Sequence, residues 1–150
     1  KKKKVKIPVM LSATITDLSG RTLSGQTIEG FYNSIIHSNP ISVGLNCALG
    51  PKELEPYLAE LNRISEFFIS IHSNAGLPNA FGEYDETPHS MAKFTKNWVK
   101  NGYINIVGGC CGTTPEHIKL MKKMVEKENP RKRLNPNQKM RLSGLEAFNF

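Results

Sequence analysis

An α/β fold of four strand-helix units with parallel strands is the architecture this sequence predicts, and three observations predict it. Short apolar runs recur at 7–13, 42–46, 67–71 and 103–107. Each gives way to a glycine- or asparagine-containing turn and then to a stretch with apolar residues at helical spacing. Two of those stretches open on threonine-proline, Thr87-Pro88 and Thr114-Pro115, which combines a capping side chain with a residue whose missing N–H costs nothing in a first helical turn.

The elements follow in order. Ile7 to Ala13, with Val9, Met10 and Leu11, suits a strand buried on both faces. A polar loop, 14–25, precedes a helix over 26–37 whose apolar stripe is Ile28, Phe31, Ile35 and Ile36. Ser42 to Asn46 is the second strand, and Gly50-Pro51 opens a helix with Leu54, Leu58, Leu61 and Ile64 on one side. Phe67 to Ile71 is the third strand. It runs into a loop, 72–86, whose length and asparagine, glycine and proline content mark it as functional. The third helix carries Met91, Phe94, Trp98 and Val99 and stops near Gly102; Tyr103 to Val107 is the fourth strand; the fourth helix carries Ile118, Met121 and Val125. From Asn129 the proline, lysine and asparagine content reads as a linker, with Leu142-Ser-Gly-Leu-Glu146 a short ordered motif within it.

Consecutive strand-helix units imply a parallel sheet with right-handed crossovers. Four units are half of eight. Half a barrel exposes two strand edges, so residues 1–128 are expected to be the carboxy-terminal half of a (β/α)8 TIM barrel, with 129–150 as a linker. The start at Lys1 rather than methionine reads as a fragment or trimmed product, and such a half-barrel is expected to associate.

Composition narrows the function classes. No run approaches the roughly 20 apolar residues of a membrane span, and no signal-peptide core is present, so a cytoplasmic, reducing setting is expected. The net charge of +7 is concentrated in Lys1 to Lys6 and in 131–141 without interleaved aromatics, which reads as solvated ends rather than a nucleic-acid platform. Three cysteines, two of them adjacent, make a poor disulfide framework and a better metal or thiol site.

Cys47 in Gly44-Leu-Asn-Cys-Ala-Leu-Gly50 and the pair Cys110 and Cys111 in Gly108-Gly-Cys-Cys-Gly-Thr-Thr114 lie where an apolar run meets a turn. In one parallel sheet those turns share an edge, so the three sulfurs converge. Three soft ligands fit zinc with a fourth position for a substrate atom, and zinc-thiolate distances near ~2.3 Å imply sulfurs roughly 3.5 to 4 Å apart. A thiol coordinated there ionises at neutral pH and becomes a nucleophile. Adjacent cysteines on a regular strand would point to opposite faces, and Gly108, Gly109 and Gly112 are expected to bend the strand end until both sulfurs meet one metal. Other readings stand beside this one: a buried structural thiol for Cys47, a vicinal disulfide for the pair, and a non-catalytic structural zinc or thiol redox module for all three. Asn74 lies on the same predicted edge, as a fourth metal or substrate contact or as a loop cap. His72 is near that edge with no assigned role, and His117, in a first helical turn, is expected at the surface.

The segments 12–26, 44–50, Asn74-Ala-Gly-Leu-Pro-Asn79, Gly82-Glu-Tyr-Asp85 and 108–112 together resemble the homocysteine S-methyltransferase family, and within it the homocysteine-binding domain of its cobalamin-dependent members. The resemblance implies a (β/α)8 barrel whose zinc is held by cysteines matching Cys47, Cys110 and Cys111, with homocysteine bound as thiolate beside them. It implies transfer of a methyl group from methylcobalamin, bound by another domain, to give methionine, with 5-methyltetrahydrofolate as the ultimate donor. Leu142 to Glu146 resembles the linker into the folate-binding domain of such enzymes. Cobalamin- and folate-binding domains and an amino-terminal half-barrel are thus the implied partners, and the chain alone is expected to be incomplete as a catalyst.

Overall fold

The structure, a computed structural model, describes residues 7–136 and 138–150; the basic run Lys1 to Lys6 lies outside them. Four strands, β1 (Met10–Ala13), β2 (Ser42–Asn46), β3 (Phe68–Ser73) and β4 (Ile106–Gly109), form one parallel sheet in chain order. They alternate with α1 (Ile28–Ile35), α2 (Pro51–Ile64), α3 (Pro88–Lys100) and α4 (Pro115–Val125). That is the α/β order of a partial TIM barrel, as the sequence predicts.

The register fixes the two faces. Ala13, Leu45, Ile71 and Val107 stand in one row across the sheet. With Val43 and Ile69 they face the helices and pack with Leu54, Leu58, Leu61 and Trp98 in the core. By the alternation of a strand, Asn46, His72 and Gly108, one row further on, belong to the opposite face.

β1 departs from expectation. It is shorter than 7–13, and Val9 and Met10 are 43% and 55% exposed. Among the described residues β1 is bonded to β2 alone, at the edge of the sheet. β4 likewise begins at Ile106 rather than Tyr103. Residues 101–105 are used first to close α3, where Tyr103 N–H donates to Trp98 O and Gly102 takes φ 65°, and then to tie Asn105 to both backbone groups of Ile69. Ile118, expected in the stripe of α4, is 46% exposed, and Met121 fills that role.

Residues 131–136 and 138–150 fold back onto the helices. Arg131, 4% exposed, donates to the carbonyls of Asn62, Ser65 and Phe67 at 3.0, 2.6 and 3.0 Å and to Asn62 Oδ1 at 2.5 Å, satisfying acceptors that the end of α2 leaves open. Arg133 lies over the Phe68 ring, and Arg141 pairs with Glu66 over the Tyr32 ring, so this basic stretch is not simply solvated. A hairpin of β5 (Arg141–Ser143) and β6 (Ala147–Asn149) docks on α1, where Asn33 Nδ2 donates to Leu142 O and Asn149 Oδ1 and Thr27 N–H donates to Leu145 O.

Arg131→Lys should lower stability by roughly 2–3 kcal/mol, because an ammonium cannot reproduce the guanidinium fork on three carbonyls. Urea unfolding checks this; an unchanged midpoint would show that Arg131 does not anchor the tail.

Candidate metal centre

β2 ends where Cys47 and Ala48 take φ 58° and 54°, the left-handed region that side-chain-bearing residues seldom adopt. The pair turns the chain off the sheet edge within two residues. Cys47 N–H still donates to His72 O at 2.9 Å, so the cysteine stays level with the end of β3. Across the sheet Cys110 N–H donates to Ser73 O, and Ala75 N–H donates to Cys111 O, which extends the β3-β4 ladder through the vicinal pair.

The expected bend at the pair is present, with a narrower cause. Of the three glycines credited with it, Gly112 alone takes a left-handed φ, 75°. Gly108 contributes close approach instead, since a Cβ there would lie 2.5 Å from His72 Cδ2. Thr113 closes the turn by donating from both N–H and Oγ1 to Cys110 O.

The result is convergence. Cys47 Sγ and Cys111 Sγ are 3.7 Å apart, Cys110 Sγ and Cys111 Sγ 4.0 Å, and all three lie within 4.8 Å of one another. Among the described residues they are the one group of three or more His, Cys, Asp or Glu placed to share a metal ion. Cys111 is exposed and the other two half-buried, so a ligand can approach from the Cys111 side. Burial, and then a hydrogen bond shared with Cys47, push the Cys110 thiol up to about 11, whereas the Ala48 N–H pulls Cys47 below the usual thiol value. Three sulfurs this close cannot all ionise without a compensating cation, and a soft divalent metal such as zinc fits that donor set.

The surroundings tie the sulfurs to the loop after β3. Asn74, 3% exposed, accepts the Cys111 N–H on Oδ1 at 3.1 Å, and its own N–H donates to Leu49 O just beyond Cys47. Glu86 N–H returns to Ala75 O, Pro78 and Tyr84 form a bridge within the loop, and Asn79 Oδ1 accepts from Phe81 and Glu83. Loop 74–86 thus borders the cysteines. It delivers Tyr84, which sequence reasoning missed: its ring lies against Gly112, next to Cys111 in the chain, a contact that no local spacing announces. Partial burial, and then the neighbouring Cys111 thiol, push the Tyr84 phenol upward.

The histidines part ways. His72 is half-buried on the face opposite the helices, and burial pushes its imidazole below the ordinary value. His117, expected at the surface, is 5% exposed. Its Nδ1 accepts from Thr114 N–H at 3.1 Å and its Nε2 donates to Glu86 O at 2.9 Å, as a neutral ring with the proton on Nε2. It takes the place of glutamate in a capping box and pins the end of the loop to α4. Neither histidine belongs to the sulfur group.

Replacing Cys47, Cys110 or Cys111 by serine should weaken zinc binding by at least about 100-fold in competition with a chromophoric chelator, because a hydroxyl is a hard and weakly acidic substitute. A variant that kept full affinity would remove that residue from the site.

The homocysteine S-methyltransferase family matches residues 1–125, which take in all three cysteines and the whole four-stranded sheet. With most of its 150 residues matched, the chain belongs to the homocysteine S-methyltransferase family.

Proposed function

We propose that this chain is the metal-bearing, carboxy-terminal half of the homocysteine-binding barrel of a cobalamin-dependent methionine synthase, a cytoplasmic enzyme that methylates homocysteine to methionine. The observation that carries the reading is the meeting of Cys47, Cys110 and Cys111 at one sheet edge with one sulfur open to solvent. When bound by these three residues, zinc supplies a lowered thiol pKa and a fixed position for the substrate sulfur. Cys47 and the vicinal pair would hold the ion from two strand ends, with Asn74 beside them and loop 74–86 bordering the site on one side.

The finer assignment within the family rests on the resemblance of 12–26, Asn74 to Asn79 and Gly82 to Asp85. On it, the methyl donor is methylcobalamin held by another domain, and 5-methyltetrahydrofolate is the ultimate source. Residues 1–128 then form the half-barrel, and 129–150 lead toward a folate-binding domain. The outer edges of β1 and β4, each bonded on one side only among the described residues, are where an amino-terminal half-barrel would pair.

Calorimetry tests this reading. Homocysteine should bind the zinc-loaded protein, paired with an amino-terminal half-barrel, with release of one proton, and homoserine should not bind. Equal binding with and without zinc would contradict it, as would homocysteine binding with no proton released.

A further inference from the structure

We propose that His117 is a positioning residue for the sulfur group: by donating from Nε2 to Glu86 O it closes a ring of hydrogen bonds that fixes the backbone of Cys111. This rests on the reading of the three cysteines as zinc ligands.

The ring can be followed bond by bond. His117 Nε2 donates to Glu86 O at 2.9 Å, Glu86 N–H donates to Ala75 O at 2.9 Å, and Ala75 N–H donates to Cys111 O at 2.8 Å. The chain from Cys111 to His117 completes the circuit, and within it Nδ1 of the same imidazole accepts the Thr114 N–H at 3.1 Å. One buried side chain thus joins the start of α4 to the residue before Thr87, the N-cap of α3. Cys47 is attached to the same ring. Asn74 takes the Cys111 N–H on Oδ1 and gives its own N–H to Leu49 O, and a Cβ at Gly50 would lie 2.8 Å from Gly76 Cα, so the turn after Cys47 packs directly on the start of the loop.

The cap of α4 alone does not call for a histidine. It needs only an acceptor three residues into the helix, which glutamate or glutamine ordinarily supplies. His117 adds a donor on the far side of its ring, and with 5% exposure it has both nitrogens occupied. Without that donor, loop 74–86 would be closed on itself at Ala75 and Glu86 but no longer tied to α4, and Cys111 would lose the support that its own helix returns to it. Sulfurs 3.7 and 4.0 Å apart already match the spacing of a tetrahedral zinc-thiolate site, so the backbone that sets them is arranged in advance of the metal. Groups that orient metal ligands without touching the metal typically change its affinity roughly 10- to 100-fold.

Two substitutions separate the cap from the tie. Asparagine puts its oxygen where Nδ1 stands and falls short of Glu86 O, whereas glutamine carries an N–H donor to the position of Nε2 and still caps the helix. In the full chain, cobalt(II) followed by its absorption should bind His117→Asn about 10-fold more weakly than wild type and with altered ligand-field bands, and His117→Gln within about 2-fold and with unchanged bands. In metal-free protein, amide exchange at Ala75 and Glu86 should be about 10-fold faster in H117N than in H117Q. Wild-type cobalt affinity and bands in H117N, or equal exchange in the two variants, would overturn the proposal while leaving the zinc site standing. Loss of cobalt affinity in H117Q would overturn it too, whether or not H117N folds. A cobalt complex of the wild-type protein with no sulfur-to-metal absorption would instead overturn the zinc reading and the proposal with it.

Discussion

The parallel register of β2, β3 and β4 is the constraint on which the site depends. It places Asn46, His72 and Gly108 in one row, so Cys47 and the Cys110-Cys111 pair leave the sheet at the same level, more than sixty residues apart in sequence. A slip of β4 by one residue against β3 would exchange its faces, moving Val107 away from the core and carrying the vicinal pair away from Cys47. The same apolar row that stabilises the sheet thereby sets the distance between the sulfurs. Packing and chemistry are one requirement here.

Around that register the cysteines are held by backbone more than by side chains. Left-handed dihedrals at Cys47, Ala48 and Gly112 turn the strand ends sharply, and a strained conformation at a non-glycine pair persists only where neighbours fix it. Those neighbours are in place: His72 O and Ser73 O receive the N–H groups of Cys47 and Cys110, and Asn74 ties Cys111 to Leu49 on the turn after Cys47. His117 and Thr114 then fasten the cap of α4 to the loop that brings Tyr84.

Much of this was legible in the sequence, for identifiable reasons. Apolar runs and Thr-Pro caps are local signals, so the four units, their order and the meeting of the three cysteines could be read from spacing alone. What escaped depended on distant partners. His117 was placed at the surface because its position in a first turn is local, whereas its burial comes from Glu86 O, thirty-one residues away. The both-faces burial of β1 failed because apolar content does not say whether a second layer covers the strand. The tail's docking is carried by arginines whose acceptors, the carbonyls at the end of α2 and in the turn into β3, have no sequence signature. Tyr84 is of the same kind, a residue whose ring is seated on a glycine in the turn after β4.

X-ray absorption at the zinc edge, on the zinc-loaded protein without substrate, most directly tests the convergence of the three cysteines on one metal. Three sulfur scatterers near about 2.3 Å, falling to two in any single cysteine-to-serine variant, are the expected result. A shell of nitrogen and oxygen with one sulfur or none, or a sulfur count unchanged when Cys47 is replaced, would contradict it.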